Sequence, residues 1–187
     1  MTVVSVRSLW RADGLIVTGF VLAAIPAVFL LPPLPNASIA AGVLLAVSLI
    51  ALSMIDVRTL RLPDVLTLPL LLCGLGLSVL LAWDSPTNRV LAVCLGFGGL
   101  ALIGYAYERT RGRAGLGLGD AKLLAASGAW VGLEGLLTVV LIACATALVS
   151  AIVGCIATGR VTAETQIPFG PFLAIGTWAT WLYGPMT

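Results

Sequence analysis

Residues 37–55 read ASIAAGVLLAVSLIALSMI and contain no charged side chain, and Asp56 follows them directly. A helix needs about 20 consecutive apolar residues to cross the hydrocarbon core of a bilayer, and this run has about that length. Six further stretches are similar, and only the one at 114–133 contains charges, Asp120 and Lys122. The other stretches are 14–31, 65–82, 90–107, 135–157 and 168–184. The pattern predicts an all-α membrane protein, a polytopic helical bundle with about seven transmembrane helices.

The overall composition indicates the same class. Of 187 residues, 60% are apolar and 10% are charged, and the mean hydropathy is +1.12. A soluble domain carries about 25% charged residues. The stretches leave only short loops, so we expect residues 1–187 to form a single membrane-embedded domain, with its core at 37–184 and an extra N-terminal span at 14–31. A signal peptide at 14–31 is the alternative, but the uncharged run exceeds the usual apolar segment of such signals.

The composition also excludes several chemistries. The chain contains no histidine, so a Ser-His-Asp triad, a Cys-His pair and a histidine-ligated metal are impossible. The four cysteines lie within predicted spans and show no C-x-x-C spacing, so we interpret them as small buried apolar residues. We therefore expect no metal and no cofactor. The ten basic and eight acidic residues nearly balance, to a net charge of +2, which does not indicate a nucleic-acid partner. We expect the lipid bilayer to surround the chain.

The basic residues predict an orientation. If the first span leaves the cytoplasm, nine of the ten basic residues lie in cytoplasmic segments and only Arg89 lies on the opposite side. Because cytoplasmic loops carry an excess of Lys and Arg, we expect a cytoplasmic N-terminus. Tryptophan is enriched at membrane interfaces, so we expect all five tryptophans to be interface anchors. They are Trp10, Trp83, Trp130, Trp178 and Trp181.

Two aspartates border the predicted membrane core on the cytoplasmic side. Asp56 ends one span and Asp120 begins another, at similar depth. An acidic residue at such a place is costly and indicates a functional site. Two facing carboxylates that share a proton can act on water as base and acid, which permits amide hydrolysis without metal, serine or histidine. Alternatively, Asp56 caps its helix in solvent, and Asp120 is a first-turn residue that the helix dipole favours.

Glycines occupy alternate positions before Asp120. Gly115, Gly117 and Gly119 form the string G-L-G-L-G-D with it. Glycine permits unusual dihedral angles and lets another backbone approach closely. We therefore expect an extended segment before the helix, with room for a substrate peptide beside the acid.

Three motifs in this order resemble the type IV prepilin peptidases, which are membrane aspartic proteases of the G-x-G-D type. The motifs are IDVRTLRLPDVLTLPLL (55–71), GLGDAKLLAASGAW (117–130) and IPFGPFLA (167–174), and the resemblance covers roughly 37–184. It implies that Asp56 and Asp120 are the two catalytic aspartates. It also implies that pilin-like precursors are the partners. Their short basic leader would be removed after a glycine, at the cytoplasmic face of the bacterial inner membrane.

The sequence departs from that family in two places. Larger members carry a cytoplasmic insert with a four-cysteine metal site, which is associated with methylation of the new N-terminus. Here about five residues join the first two predicted spans, so we do not expect methyltransferase activity. Ala114 stands where many members have an acidic residue, so the wall of the cleft is expected to differ.

Several neighbouring residues have two interpretations. Asp64, after Pro63, is either a helix N-cap with Thr67 close by or a group that holds the basic leader or orients the loop after Asp56. Lys122 either extends to the interface or pairs with a carboxylate. Other residues are expected to shape the site through the resemblance, although the prolines could simply begin a helix. They are Pro63, Gly117, Gly119, Pro168, Gly170 and Pro171.

Three other functions compete with this one. A proton-coupled transporter would need polar residues through its spans, but 37–55 and 135–157 offer only serine and threonine. A presenilin-type intramembrane protease shares the G-x-G-D string, but its tyrosine before the partner aspartate and its Pro-Ala-Leu element are absent. A catalytically silent pilus-assembly subunit stays open, as do the identity of the precursors and the oligomeric state.

Overall fold

The computed structural model describes residues 36–83, 85–112, 117–158 and 168–185, and these are helical without any β-strand. The helices are α1 (Asn36–Thr59), α2 (Asp64–Leu80), α3 (Pro86–Arg111), α4 (Leu118–Thr158) and α5 (Gly170–Tyr183). The predicted span at 14–31 lies outside the described residues, and so do Ala114 and Gly115. The described part of the chain thus confirms an all-α helical fold.

Three of these helices are long and apolar enough to cross a membrane, namely Ile39–Thr59, Pro86–Thr110 and Leu118–Val153. Large apolar side chains cover their outward surfaces; Val47, for example, is 61% exposed and Leu102 is 67% exposed. Lipid chains are the environment in which such surfaces are stable. The protein is therefore an integral membrane protein.

Helix α4 folds back on itself at Gly132. This glycine has φ 75° and ψ −175°, a conformation that only glycine adopts readily. The Ser127 and Thr177 hydroxyl oxygens lie 2.6 Å apart, while a Cβ on Gly176 would lie 2.5 Å from the Val139 carbonyl oxygen. A continuous helix would separate residues 127 and 139 by about 18 Å. The break divides α4 into a first arm (118–131) and a second arm (133–158), close to the predicted boundary between two spans.

The first arm of α4 is the centre of the bundle. Residues 123–130 are all buried. Small residues let neighbouring helices approach this arm: a Cβ on Gly96 would lie 2.9 Å from the Leu124 carbonyl oxygen, and one on Gly128 would lie 2.8 Å from the Ala92 backbone. Backbones in membrane proteins pack closely in this way where glycine and alanine line the interface. These two contacts also show that α3 runs antiparallel to the first arm.

The remaining contacts bring several helix ends together. A Cβ on Gly42 would lie 2.7 Å from the Trp181 ring, and the Gly170 amide donates to Asp56, so α1 and α5 are antiparallel. A Cβ on Gly119 would lie 3.0 Å from the Leu62 Cβ. At one end of the bundle, which we call the site end, α1 and α3 therefore finish while α2, α4 and α5 begin.

Two tryptophans differ from the expectation of interface anchors. Trp130 is 1% exposed, and its Nε1 donates to the Leu70 carbonyl oxygen at 2.9 Å. Trp178 is also buried and stacks on Trp181 with ring centroids 5.7 Å apart. The anchor prediction is wrong for these two because the bundle itself supplies the partners that an indole needs. Trp10 lies outside the described residues.

The expectation that the cysteines are buried is also wrong for three of them. Cys73, Cys94 and Cys144 are free thiols on exposed helix surfaces. Leucines and tryptophans together with glycine and alanine contacts fill the interior instead, so the thiols face outward with the other lipid-facing side chains.

Arg89, the one basic residue assigned to the far side, is buried. Its Nη1 donates to the carbonyl oxygens of Ala129, at 3.2 Å, and Trp130. The guanidinium carbon lies 5.9 Å from the centroid of the Trp83 ring. Asn88 Oδ1 accepts from the Leu133 amide on the other side of the break. Arg89 thus satisfies carbonyls that the break at Gly132 leaves without helical partners.

Candidate active site

Asp56 lies on the last turns of α1 and is 5% exposed. Helix α1 continues past it to Thr59. Its Oδ2 accepts a hydrogen bond from the Gly170 amide at 3.0 Å. A Cβ on Gly170 would lie 2.6 Å from that same oxygen, so only glycine allows this approach. The alternative of a solvent-exposed helix cap is therefore wrong for Asp56.

Asp120 lies in the first turn of α4. Its backbone amide donates to the Gly117 carbonyl oxygen at 3.1 Å, and its carboxylate accepts from the Gly117 amide. The positive end of the helix dipole favours a carboxylate here, as the simpler interpretation proposed. The Asp120 carboxylate also interacts electrostatically with that of Asp56. Its position therefore fits both interpretations at once.

The two aspartates come from segments that are distant in sequence and meet through a small contact. Leu62 follows Asp56 in the loop to α2, and Gly119 precedes Asp120. A Cβ on Gly119 would lie 3.0 Å from the Leu62 Cβ and 3.5 Å from the Leu62 nitrogen, so the loop rests on the glycine. Two carboxylates that interact in this way do not readily ionise together, because like charges repel.

The third motif forms one side of this site. Pro168, Gly170 and Pro171 are buried, and α5 begins at Gly170. Proline suits the first helical turn because its missing amide hydrogen would have no helical partner there. Pro171 therefore fits the simpler interpretation of a helix start, whereas Pro168 precedes the N-cap Phe169. They also flank the glycine that contacts Asp56, so this segment forms a wall beside the carboxylate.

Lys122 pairs with Asp64 rather than with the carboxylate of Asp56 or Asp120. Its Nζ lies 2.6 Å from Asp64 Oδ1 and 2.8 Å from Oδ2. Pro63 is the N-cap of α2, in an extended conformation and without a side-chain cap, so Asp64 is the first helical residue. The N-cap interpretation is wrong because the extended Pro63 takes that position. Thr67 donates to the Pro63 carbonyl oxygen instead, at 3.3 Å.

The sequence reading missed two residues of the loop between α1 and α2. Leu60 has φ 52°, and its amide donates to the Asp56 carbonyl oxygen at 2.7 Å, which closes the helix end. Leu62 is buried although its neighbours Arg61 and Asp64 are exposed. Leu60, which is flanked by Thr59 and Arg61, is exposed, so a leucine in this loop does not by itself indicate a buried contact.

A shallow groove of about 690 Å³ borders this loop. Its lining residues are Ile55, Thr59, Arg61, Leu62, Pro63 and Asp64. The groove follows the segment that leads away from Asp56, at the site end of the bundle.

Comparison with known proteins decides the family. Residues 43–152, which include both aspartates, match the Type IV leader peptidase family. The chain belongs to this family. It is 44% identical over 152 residues to the Prepilin leader peptidase/N-methyltransferase of Burkholderia pseudomallei strain K96243, covering 80% of this chain and 48% of that protein. The resemblance that the three motifs indicated is confirmed.

Other relatives of this chain carry the same name. The Xanthomonas campestris protein is 41% identical over 146 residues, covering 76% of this chain and 50% of its own. The Neisseria gonorrhoeae protein is 37% identical over 137 residues, covering 73% of this chain and 46% of its own length. The chain thus spans about half the length of the curated relatives it matches. No solved structure matches it.

Proposed function

We propose that this chain is a membrane aspartic endopeptidase that removes the short basic leader from type IV pilin-like precursors. One observation carries the proposal: in a member of the leader peptidase family, Asp56 is buried at the site end and its carboxylate interacts with that of Asp120. The precursors would be type IV prepilins or pseudopilins. Their apolar helix would lie in the bilayer while the leader reaches Asp56 and Asp120, which we call the dyad.

The proposed reaction uses water and the two carboxylates. The ionised aspartate takes a proton from water as the oxygen attacks the scissile carbonyl carbon, and the protonated aspartate donates to the carbonyl oxygen. The tetrahedral intermediate then collapses and the C–N bond breaks. The departing amine receives the proton held by the first aspartate, while the second aspartate takes back a hydroxyl proton from the intermediate as the carboxylic acid forms. The Gly170 amide holds Asp56 Oδ2 in place. A glycine before the scissile bond, as the family resemblance implies, would let both carboxylates reach the carbonyl.

We propose that the site faces the cytoplasm of a bacterial inner membrane. Arg58, Arg61, Arg109 and Lys122 belong to the site end of the bundle, whereas Arg89 lies at the opposite end beside the Gly132 break. The positive-inside rule that assigns the four bases to the cytoplasm therefore assigns the dyad to it as well. The groove beside Asp56 would then hold the leader.

The proposal is limited to peptide cleavage. The names of the relatives also include N-methyltransferase, but this chain spans about half of their length. About five residues join the predicted spans 14–31 and 37–55, so the sequence has no room there for the cysteine-bearing insert of larger members. Methyl transfer is not proposed.

The geometry gives no support to proton-coupled transport. A proton path through the bilayer needs polar groups that bond from one helix to the next. Ser48 donates to the Leu44 carbonyl oxygen and Thr146 donates to that of Ile142, each one turn back on its own helix. These two hydroxyls are used within their own helices. Ser127 and Thr177 do bond between α4 and α5, but a single contact is not a path through the bilayer.

Cleavage of a pilin-like precursor by the purified protein in nanodiscs tests the proposal, with the released leader measured by mass spectrometry. We expect the wild type to cut and Asp56→Asn and Asp120→Asn each to lose activity, because each retains its shape but loses an acid–base group. The matched control is Glu134→Gln, an exposed acid beside the Gly132 break. Normal cleavage by Asp120→Asn would exclude a mechanism that uses both aspartates. If the protein is a catalytically silent subunit, the wild type itself will not cleave the precursor.

A further inference from the structure

An ion pair across the site end joins the two segments that carry the aspartates. Asp64 begins α2 directly after the loop that leads from Asp56, and Lys122 follows Asp120 by two residues on α4. Lys122 Nζ contacts both oxygens of Asp64, at 2.6 and 2.8 Å. Among the described residues, no other ion pair joins these helix ends.

The loop contacts α4 at a second point, next to Asp120. Leu62 is 9% exposed, and its Cβ would lie 3.0 Å from a Cβ on Gly119. The two contacts are therefore consecutive along both segments: Leu62 faces Gly119, and Asp64 faces Lys122. One contact alone would leave the loop able to pivot about it, whereas two fix its direction.

The ion pair is suited to positioning more than to global stability. Lys122 and Asp64 expose 33% and 52% of their side chains. Exposed pairs of this kind add little to the free energy of folding, because solvent screens the attraction and two long side chains must be ordered. What such a pair can still do is hold a short loop in one place.

We infer that the Asp64–Lys122 ion pair, together with the Leu62–Gly119 contact, sets the separation between Asp56 and Asp120. Asp64 and Lys122 are then positioning residues. Asp64 borders the groove, but its carboxylate binds Lys122 and does not bind the basic side chains of the leader. This inference rests on the proposed peptidase function. It follows from the connectivity, because the pair closes a short ring that runs from Asp56 through the loop and α4 to Asp120.

The competing role for Asp64 is direct binding of the basic leader, and it makes opposite predictions for Lys122. Lys122 occupies both oxygens of Asp64, so a leader that needed this carboxylate would have to displace the lysine. Removing the lysine would then improve leader binding and lower KM. In the positioning role it would instead misplace a catalytic aspartate and lower kcat.

Steady-state cleavage of a pilin-like precursor by four variants decides between the roles. We expect Lys122→Gln and Asp64→Asn each to lower kcat at least about tenfold with KM nearly unchanged, because small misplacements of reacting groups are costly. The kcat of Lys122→Arg should stay within about threefold of the wild-type value, since arginine can bond both carboxylate oxygens. The double variant Asp64→Asn with Lys122→Gln should be no slower than either single variant.

Glu108→Gln is the matched control, since Glu108 is an exposed acid on α3 near the same end of the bundle. It removes one negative charge without touching the ion pair, so its kcat and KM should equal those of wild type. A raised KM in Asp64→Asn with a lowered KM in Lys122→Gln would overturn the inference in favour of leader binding. An equal fall of kcat in Lys122→Arg and Lys122→Gln would overturn the inference as well.

Hydrogen exchange of the substrate-free protein separates this inference from the proposed function. We expect amides of segment 59–64 to exchange faster in Asp64→Asn and Lys122→Gln than in wild type and Lys122→Arg, with the rest of α4 unchanged. If no precursor is cut but this exchange pattern is seen, the proposed peptidase function is wrong and the positioning role of the ion pair stands. If the wild type cuts the precursor and the loop exchanges equally in all variants, the positioning role is wrong and the peptidase function stands.

Discussion

At the scale of single residues, the contact between Gly170 and Asp56 carries the most information. The amide of Gly170 donates to Asp56 Oδ2, and the missing side chain leaves the space that this oxygen occupies. The same residue thus supplies a donor and removes an obstacle. A sequence reading finds a glycine in a third motif, whereas the structure shows which atom needs it.

Replacement of this glycine should damage the site more than the fold. In Gly170→Ala the new Cβ would lie 2.6 Å from Asp56 Oδ2, so the carboxylate must move. We expect kcat to fall by roughly 10- to 100-fold, because a displacement of about 1 Å in a reacting group has that effect. The control is Gly99→Ala on α3, where nothing lies within 4 Å. Equal activity of the two variants in the precursor cleavage assay would contradict the role of Gly170.

The dyad should respond to pH and to double substitution as one unit. The rate of cleavage is expected to follow a bell-shaped pH profile, since one carboxylate must be ionised and the other protonated, and the two limbs belong to the pair. The double variant Asp56→Asn with Asp120→Asn should be no slower than either single one, because groups that act together are non-additive. A profile that is flat across the working range, or losses that multiply in the double variant, would argue against a shared proton.

At the scale of the helices, α4 shows how a break can be stabilised. Gly132 adopts a conformation that other residues reach only with strain, and the chain reverses there. Arg89 bonds the last carbonyls of the first arm, and Asn88 bonds the first amide of the second. The start of α3 thus holds both sides of the break. This explains why the far end keeps an arginine despite the charge asymmetry of the chain.

The break itself should be sensitive to a side chain. We expect Gly132→Ala to lower the free energy of unfolding by about 1–3 kcal/mol, because alanine at φ 75° and ψ −175° is strained. Gly98→Ala serves as the control, since that position is helical with nothing within 4 Å and alanine suits a helix better than glycine. Unfolding by titration with a denaturing detergent measures both. A destabilisation in Gly98→Ala as large as in Gly132→Ala would remove the argument from backbone strain.

At the scale of the whole molecule, the orientation in the membrane connects the fold with the proposed reaction. We expect Arg61→Cys to be shielded from a membrane-impermeant thiol reagent in intact cells and Ser85→Cys to be labelled. Arg61 lies at the site end, and Ser85 begins α3 at the opposite end. Cys73, Cys94, Cys144 and Cys155 must first be replaced, since three of them are exposed. Labelling of position 61 from outside would invert the orientation and move the dyad out of the cytoplasm.

Much of this architecture could be predicted from local properties of the chain. Uncharged runs of bilayer length predicted the helices, and two aspartates bordering such runs predicted the dyad partners. The boundary near Gly132 was also visible, because glycines interrupt an otherwise continuous apolar stretch. Each of these inferences depends on a few neighbouring residues or on one simple energetic rule about charge in lipid.

Contacts between distant residues were decided only by the tertiary structure. Asp64 and Lys122 are 58 positions apart, and the sequence left each with two roles until their distance was known. The burial of Trp130 and the exposure of three cysteines were also not predicted from the sequence. Composition predicts that apolar helices are stable in a bilayer, but it does not predict which face of each helix the bundle buries. The sequence alone thus determined the helices, the charge asymmetry and the two candidate acids. Tertiary packing decided which groups pair, since hydrogen bonds and ion pairs depend on separations of a few ångströms across helices.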